Sequence, residues 1–171
     1  MNILDYIRVV PDFPKDGIQF YDIATLLAHP GAFQETLRQM EEKIVPYRPD
    51  LLMGLDSRGF LFAAPLAAAM GVGLGMIRKK GKLPGQVIGQ SYGLEYGEDA
   101  VEVQPDLVPD GARIVLVDDL LATGGTLVAA EQLISQTGGQ VVASVCVIEL
   151  HNLGGREKLN APFEMLVQCE G

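Results

Sequence analysis

The nine residues from Asp118 to Thr126, DDLLATGGT, combine groups that bind anions with groups that bind hydroxyls. Gly124 and Gly125 let backbone N–H groups close around an anion without side-chain obstruction. Thr123 and Thr126 add hydroxyl donors, and a helix starting near Thr126 would aim its positive end at the same point. This describes a cradle for a monophosphate that includes Ala122 to Thr126. The lysine of a GxxxxGK(S/T) loop is missing, and so is the GxGxxG of a dinucleotide fingerprint. Just upstream, Asp118 and Asp119 could accept hydrogen bonds from the vicinal hydroxyls of a sugar or lie near a metal-bound diphosphate. A phosphate at one end with a diol beside it describes a ribose 5-phosphate. Paired acids at the mouth of a buried strand also need partners, because an uncompensated charge there is costly.

Alternating strands and helices must position these groups. Ile114 to Val117 reads as a buried strand leading into the acids, and Thr126 to Gln136 reads as the following helix, with Leu127, Ala130, Leu133 and Ile134 on one face. Leu51 to Leu55 is another continuous apolar run, the pattern of a strand buried on both faces, and it stops at Asp56. Ser57, Arg58 and Gly59 then turn into an alanine-rich helix ending near Gly71, in which Pro65 is tolerable only close to the first turn. Residues 32 to 45 form an amphipathic helix, Val72 to Ile77 a strand and Val141 to Leu150 a third buried strand. Residues 78 to 98, with Arg78, Lys79, Lys80, Lys82 and five glycines, show little apolar periodicity and read as a mobile lid loop. Strands alternating with helices imply an α/β fold with a mostly parallel sheet covered on both faces, its ligands at the carboxyl ends of the strands.

At 171 residues, with 48% apolar and 20% charged residues, the sequence predicts a single globular domain over residues 1–171. Thirteen basic against 22 acidic residues give a net charge of −9, which on average repels a phosphate backbone and argues against a nucleic-acid partner. Cys146 and Cys169 lack metal or redox spacing and read as reduced core residues of a cytoplasmic protein. No run approaches the roughly 18 apolar residues of a membrane helix, and no secretory leader is evident. His29 and His151 are isolated and read as surface or strand-end residues.

IVLVDDLLATGGT at 114–126 resembles the diphosphoribose-binding motif of the type I phosphoribosyltransferases. GLDSRGF at 54–60, IRKKGKLPG at 77–85, SYGLEYG at 91–97 and PDFPKDGIQFYDI at 11–23 are similar to the adenine-specific branch of that family, in the expected order. The resemblance implies the type I phosphoribosyltransferase fold, with a small N-terminal hood over about residues 1–30 and a flexible lid loop over about 78–98. It implies purine salvage, with ribose 5-phosphate passing from 5-phosphoribosyl 1-diphosphate to adenine and giving AMP and diphosphate with help from Mg²⁺.

On this resemblance Ala122, Thr123, Gly124, Gly125 and Thr126 hold the 5-phosphate, and Asp118 and Asp119 face the ribose hydroxyls and possible metal. Arg58, Lys79 and Lys82 attend the diphosphate, Ser57 contributes to binding of the sugar diphosphate, and Arg78 reaches the site of a neighbouring subunit in a homodimer. Glu95, with Tyr96 beside it, handles the proton on purine N7, a task for which lid closure must raise the carboxylate's pKa. Phe20 stacks on adenine, backbone near Gln19 reads its amino edge, and Leu120 packs from the other side. Many relatives carry a basic residue after that phenylalanine, where this chain has Tyr21. Arg58 read alone is a helix-start residue paired with Asp56, and Phe20 read alone is a core aromatic. The alternatives are a phosphoribosyltransferase for 6-oxopurines and a non-catalytic regulator that binds the sugar diphosphate.

Overall fold

The computed structural model describes residues 1–94 and 97–171. A short antiparallel sheet of β1 (Arg8–Pro11) and β2 (Gln19–Asp22) comes first, followed by α1 (Ala24–Ala28) and α2 (Pro30–Ile44). The chain continues through β3 (Leu51–Leu55), α3 (Gly59–Met70), β4 (Gly73–Lys79), β5 (Ile88–Leu94) and β6 (Gly97–Val103). It ends with β7 (Arg113–Leu121), α4 (Gly125–Ser135), β8 (Gln140–Leu150) and β9 (Phe163–Cys169). The larger sheet has the order β5-β6-β4-β3-β7-β8-β9. From β4 to β9 its neighbours are parallel, while β6 runs antiparallel to β4 and to β5.

The unbroken apolar runs of β3, β7 and β8 follow from cover on both faces. On one face Leu52, Val115, Val117 and Val145 meet Leu26 of α1, Met40 and Ile44 of α2, and Phe62 and Leu66 of α3. On the other, Met53, Leu55, Leu116 and Cys146 meet Leu127, Ala130, Leu133 and Ile134 of α4. Each such side chain contributes roughly 1.5–3 kcal/mol by leaving water. The α/β architecture expected from the sequence is therefore present, with β1 and β2 as the additional N-terminal sheet. His29 acts as a cap, its Nδ1 accepting a hydrogen bond of 3.1 Å from the N–H of Ala32. Among the described residues no helix is long and apolar enough to cross a membrane.

Four expectations require correction. Residues 78–98 are not a structureless loop: β4 runs on to Lys79, and β5 and β6 form an antiparallel hairpin, in which Ile88, Gln90 and Tyr92 alternate with Gly89 and Ser91. The strand at Ile114–Val117 extends to Leu121, so Asp118 and Asp119 are strand residues rather than the start of a turn. Pro65 lies in the middle of α3 and not in its first turn. The ring removes the donor that would reach the carbonyl of Leu61, and Leu61 is on the exposed side of the helix, where water can satisfy that oxygen. Finally, Cys146 is fully buried but Cys169, on the edge strand β9, is only half-buried.

Candidate active site

At the carboxyl ends of β3 and β7, α3 starts unusually close to the neighbouring strand. A Cβ on Gly59 would stand 2.6 Å from the carbonyl oxygen of Val117, so only glycine fits there. That close approach brings Arg58, which immediately precedes α3, to the acids of β7. Its Nε is 2.7 Å from Oδ2 of Asp119, a carboxylate only 6% exposed. The Asp118 Oδ1 accepts the backbone N–H of Asp119 at 2.8 Å. Arg58 is therefore paired with Asp119 and not with Asp56. Asp56 instead accepts hydrogen bonds from Nε of Arg78 at 3.2 Å and from the backbone N–H of Lys79 at 3.3 Å. The two carboxylates are about equally buried, their side chains 9% and 10% exposed, and each has its own arginine, Arg58 for Asp119 and Arg78 for Asp56.

These groups open onto a cleft of about 470 Å³. Of the residues the sequence singled out, Ser57, Arg58, Lys79, Asp118, Asp119, Leu120 and Thr126 line it. Asp56, Tyr92 and Asp99 line it too, and sequence reasoning did not assign them to the site. Burial raises the pKa of Tyr92, whose hydroxyl lies between Thr126 and Asp99. The alternation of Ile88, Gln90 and Tyr92 was the signal that could have found this strand. Lys82 is exposed on the turn after β4 and is not among the lining residues, and Arg78 is engaged by Asp56 and stacked 5.7 Å from the ring of Phe60.

Beside the cleft, Leu120 to Leu127 surround a second hollow of about 110 Å³, which Asp118 also lines. Ala122, Thr123, Gly124, Gly125 and Thr126 thus sit together at the start of α4, with Gly124 in the left-handed region at φ +89°. The backbone N–H groups of Thr123 to Thr126 donate to no protein acceptor among the described residues. Adjacent donors at a helix N-terminus without protein acceptors, on residues that line a hollow, are an arrangement able to receive an anion.

Within the N-terminal sheet, Phe20 is half-buried and outside both core clusters, which removes the core-aromatic reading. Its ring lies 5.5 Å from the guanidinium carbon of Arg58 and packs edge-on against Phe13 at 5.2 Å. Gln19 is exposed beside it, opposite Pro11. Tyr21 points the other way, as strand alternation requires, and donates its hydroxyl to the Glu170 carbonyl at 2.6 Å. A structural anchor thus occupies the position where a basic residue was expected. Glu95 and Tyr96 lie outside the described residues.

Burial first, and then the adjacent Asp119 charge, push the Asp118 carboxyl well above its ordinary 3.8. The folded protein therefore holds this proton more tightly than the unfolded chain. The stabilisation is complete below 3.8 and is lost as pH rises through the folded value. Asp118→Asn removes the titration, so the unliganded variant is expected to melt above wild type by at least about 3 °C at pH 8. Melting curves between pH 4 and pH 8 should show that difference shrinking on acidification, and a difference independent of pH would contradict the assignment.

Residues 22–170 match the family model described as the phosphoribosyl transferase domain. The chain belongs to the phosphoribosyltransferase family, and so is a transferase by descent. Relatives that share this similarity over almost the whole chain carry the name adenine phosphoribosyltransferase. The protein of that name from Rhodospirillum centenum is 54% identical over 99% of both chains, and that from Rhodospirillum rubrum is 56% identical over 98% of both. Among solved structures, the adenine phosphoribosyltransferase of Thermoanaerobacter pseudethanolicus superposes with a TM-score of 0.94 at 42% identity, covering 98% of each chain. That of Saccharomyces cerevisiae, solved with adenine and an imino-altritol bisphosphate, gives 0.90 at 40% identity over 96% of each.

Proposed function

We propose that this enzyme transfers ribose 5-phosphate from 5-phosphoribosyl 1-diphosphate to N9 of adenine, giving AMP and diphosphate. The observation that carries the reading is the run of acceptor-free N–H groups from Thr123 to Thr126 beside the Asp118, Asp119 and Arg58 cluster. A 5-phosphate held by Ala122 to Thr126 places its ribose hydroxyls toward Asp118 and Asp119, which line the same cleft. The diphosphate then lies toward Ser57, Arg58 and Lys79. Bond breaking at the anomeric carbon builds oxocarbenium character on the sugar and negative charge on the leaving group, so fixed cations at that end favour the transition state.

Phe20, already at the Arg58 edge of the cleft, is the surface on which adenine stacks, with the backbone near Gln19 reading its amino group and Leu120 closing the opposite side. Glu95 and Tyr96, outside the described residues, are the residues we assign to proton handling at N7. Lys82 and Arg78 have supporting roles in this reading, Lys82 on the turn and Arg78 across a subunit boundary. A homodimer accords with an apolar face beside α3: Leu74 and Met76 of β4 and Leu61 of α3 are each more than 40% exposed, and Arg78 borders them. We place the enzyme in the cytoplasm, where its two free thiols stay reduced.

Among the described residues no three metal-ligating side chains converge, and Asp119 already pairs with Arg58. The donor set fits a Mg²⁺ held mainly by diphosphate and sugar oxygens with water, with the carboxyl groups of Asp118 and Asp119 lining the same cleft. The ion, when bound, neutralises charge on the diphosphate. Incubation with the sugar donor, Mg²⁺ and each purine in turn tests the assignment. AMP from adenine, with at least about a hundredfold preference over hypoxanthine and guanine in kcat/KM, is expected. Nucleotide from a 6-oxopurine in place of adenine would overturn the specificity, and binding without turnover would make the protein a regulator.

A further inference from the structure

The wall behind the phosphate nest belongs to a distant part of the chain. Gly155 is buried against residues 122–124: a Cβ on it would stand 2.5 Å from the Ala122 carbonyl oxygen and 3.1 Å from the Gly124 nitrogen. Three residues on, Lys158 donates from Nζ to the carbonyl oxygen of Thr123 at 2.9 Å. Its own backbone is fixed by a short helical turn at Arg156–Lys158, where its N–H reaches the Gly155 carbonyl at 3.1 Å. Arg156 anchors that turn by two bonds of 2.8 Å to Glu149, which is only 3% exposed, and lies 5.0 Å from the ring of Phe163.

A trans peptide points its carbonyl and its N–H in opposite directions. The peptide between Thr123 and Gly124 is trans, so whatever grips the Thr123 oxygen also aims the Gly124 N–H the other way. Neither Lys158 nor Gly155 lines the hollow formed by residues 120–127, so both stand outside it. We propose that Lys158 is a positioning residue: from outside the nest it holds the Thr123 carbonyl, and so turns the Gly124 N–H inward toward the sugar phosphate. The bond is charge-assisted, and it counteracts the freedom of this peptide. A glycine at φ +89° has other conformations open to it, and the adjacent N–H groups of Thr123 to Thr126, without protein acceptors, do nothing to hold it until an anion arrives. Binding is tighter when that reorganisation has been made in advance. This role rests on the reading of residues 122–126 as the 5-phosphate site.

Lys158→Met, close in size but without a donor, tests it in the full-length protein. Calorimetric titration with ribose 5-phosphate should show a Kd raised about tenfold, the scale of one charge-assisted hydrogen bond. The KM for 5-phosphoribosyl 1-diphosphate should rise by a similar factor, with kcat at saturation and the Kd for inorganic diphosphate within about twofold of wild type. Lys158→Arg, which keeps a donor of similar reach, should recover most of the affinity. Equal weakening of ribose 5-phosphate and inorganic diphosphate would reduce Lys158 to general support of the fold, and no weakening of either would remove it from the site. A wild-type protein that bound diphosphate but not ribose 5-phosphate would overturn the nest reading itself, before any variant is compared.

Discussion

Gly124→Ala is expected to weaken binding of ribose 5-phosphate by about a hundredfold or more, while Gly125→Ala, one residue on, weakens it only a few fold. The two glycines look interchangeable in the sequence and differ in the structure. Gly124 sits at φ +89°, where an alanine pays roughly 1–2 kcal/mol, and its Cβ would be 2.9 Å from the carbonyl oxygen of Gly155. That neighbour is backbone, packed in turn against Ala122, so relief has to come from the nest. Gly125 has an ordinary helical backbone, and its Cβ would meet only the ring of Tyr92 at 3.8 Å, a normal contact. Titration of both variants with ribose 5-phosphate, alongside melting curves to confirm folding, checks the contrast. Equal losses would mean that freedom of the chain, and not the position of one N–H, makes the cradle.

Legibility in the sequence followed the range of the interactions. The buried strands β3, β7 and β8 were visible because both faces of each are apolar, and α4 because its four apolar residues recur at helical spacing. The hairpin of β5 and β6 was read as a loop because Gly89 and Gly93 interrupt it and its partner strand is antiparallel, at the edge of the sheet. Edge strand β9 was missed for a related reason, since only one neighbour covers it and polar residues are interspersed. In the site, residue types were legible and pairings were not. The partner of Arg58 proved to be Asp119 rather than the nearby Asp56, and the grip of Lys158 on Thr123 spans segments that no local pattern joins. Glycines told the same story. Gly124 was recognisable as part of a nest, but Gly59 and Gly155 are required only because another backbone passes within touching distance.

Arg58→Ala is expected to lower turnover by about 10²–10³, and to cost stability as well. Two functions of one side chain are being removed together. The guanidinium neutralises Asp119, whose carboxylate is only 6% exposed and adjacent to Asp118, and it lines the cleft where, on the proposed reading, the diphosphate leaves. Because the Arg58 side chain is itself about half exposed, the stability loss should fall between that of a surface pair and a buried one, at about 2 kcal/mol. Adding Asp119→Asn separates the two functions. The second substitution removes the carboxylate that had lost its partner, so the double variant should recover most of the melting temperature. It restores no cation to the cleft, so its turnover should stay at or below that of Arg58→Ala. Recovery of activity together with stability would mean that Arg58 serves only the fold, with the charge on the leaving group met elsewhere.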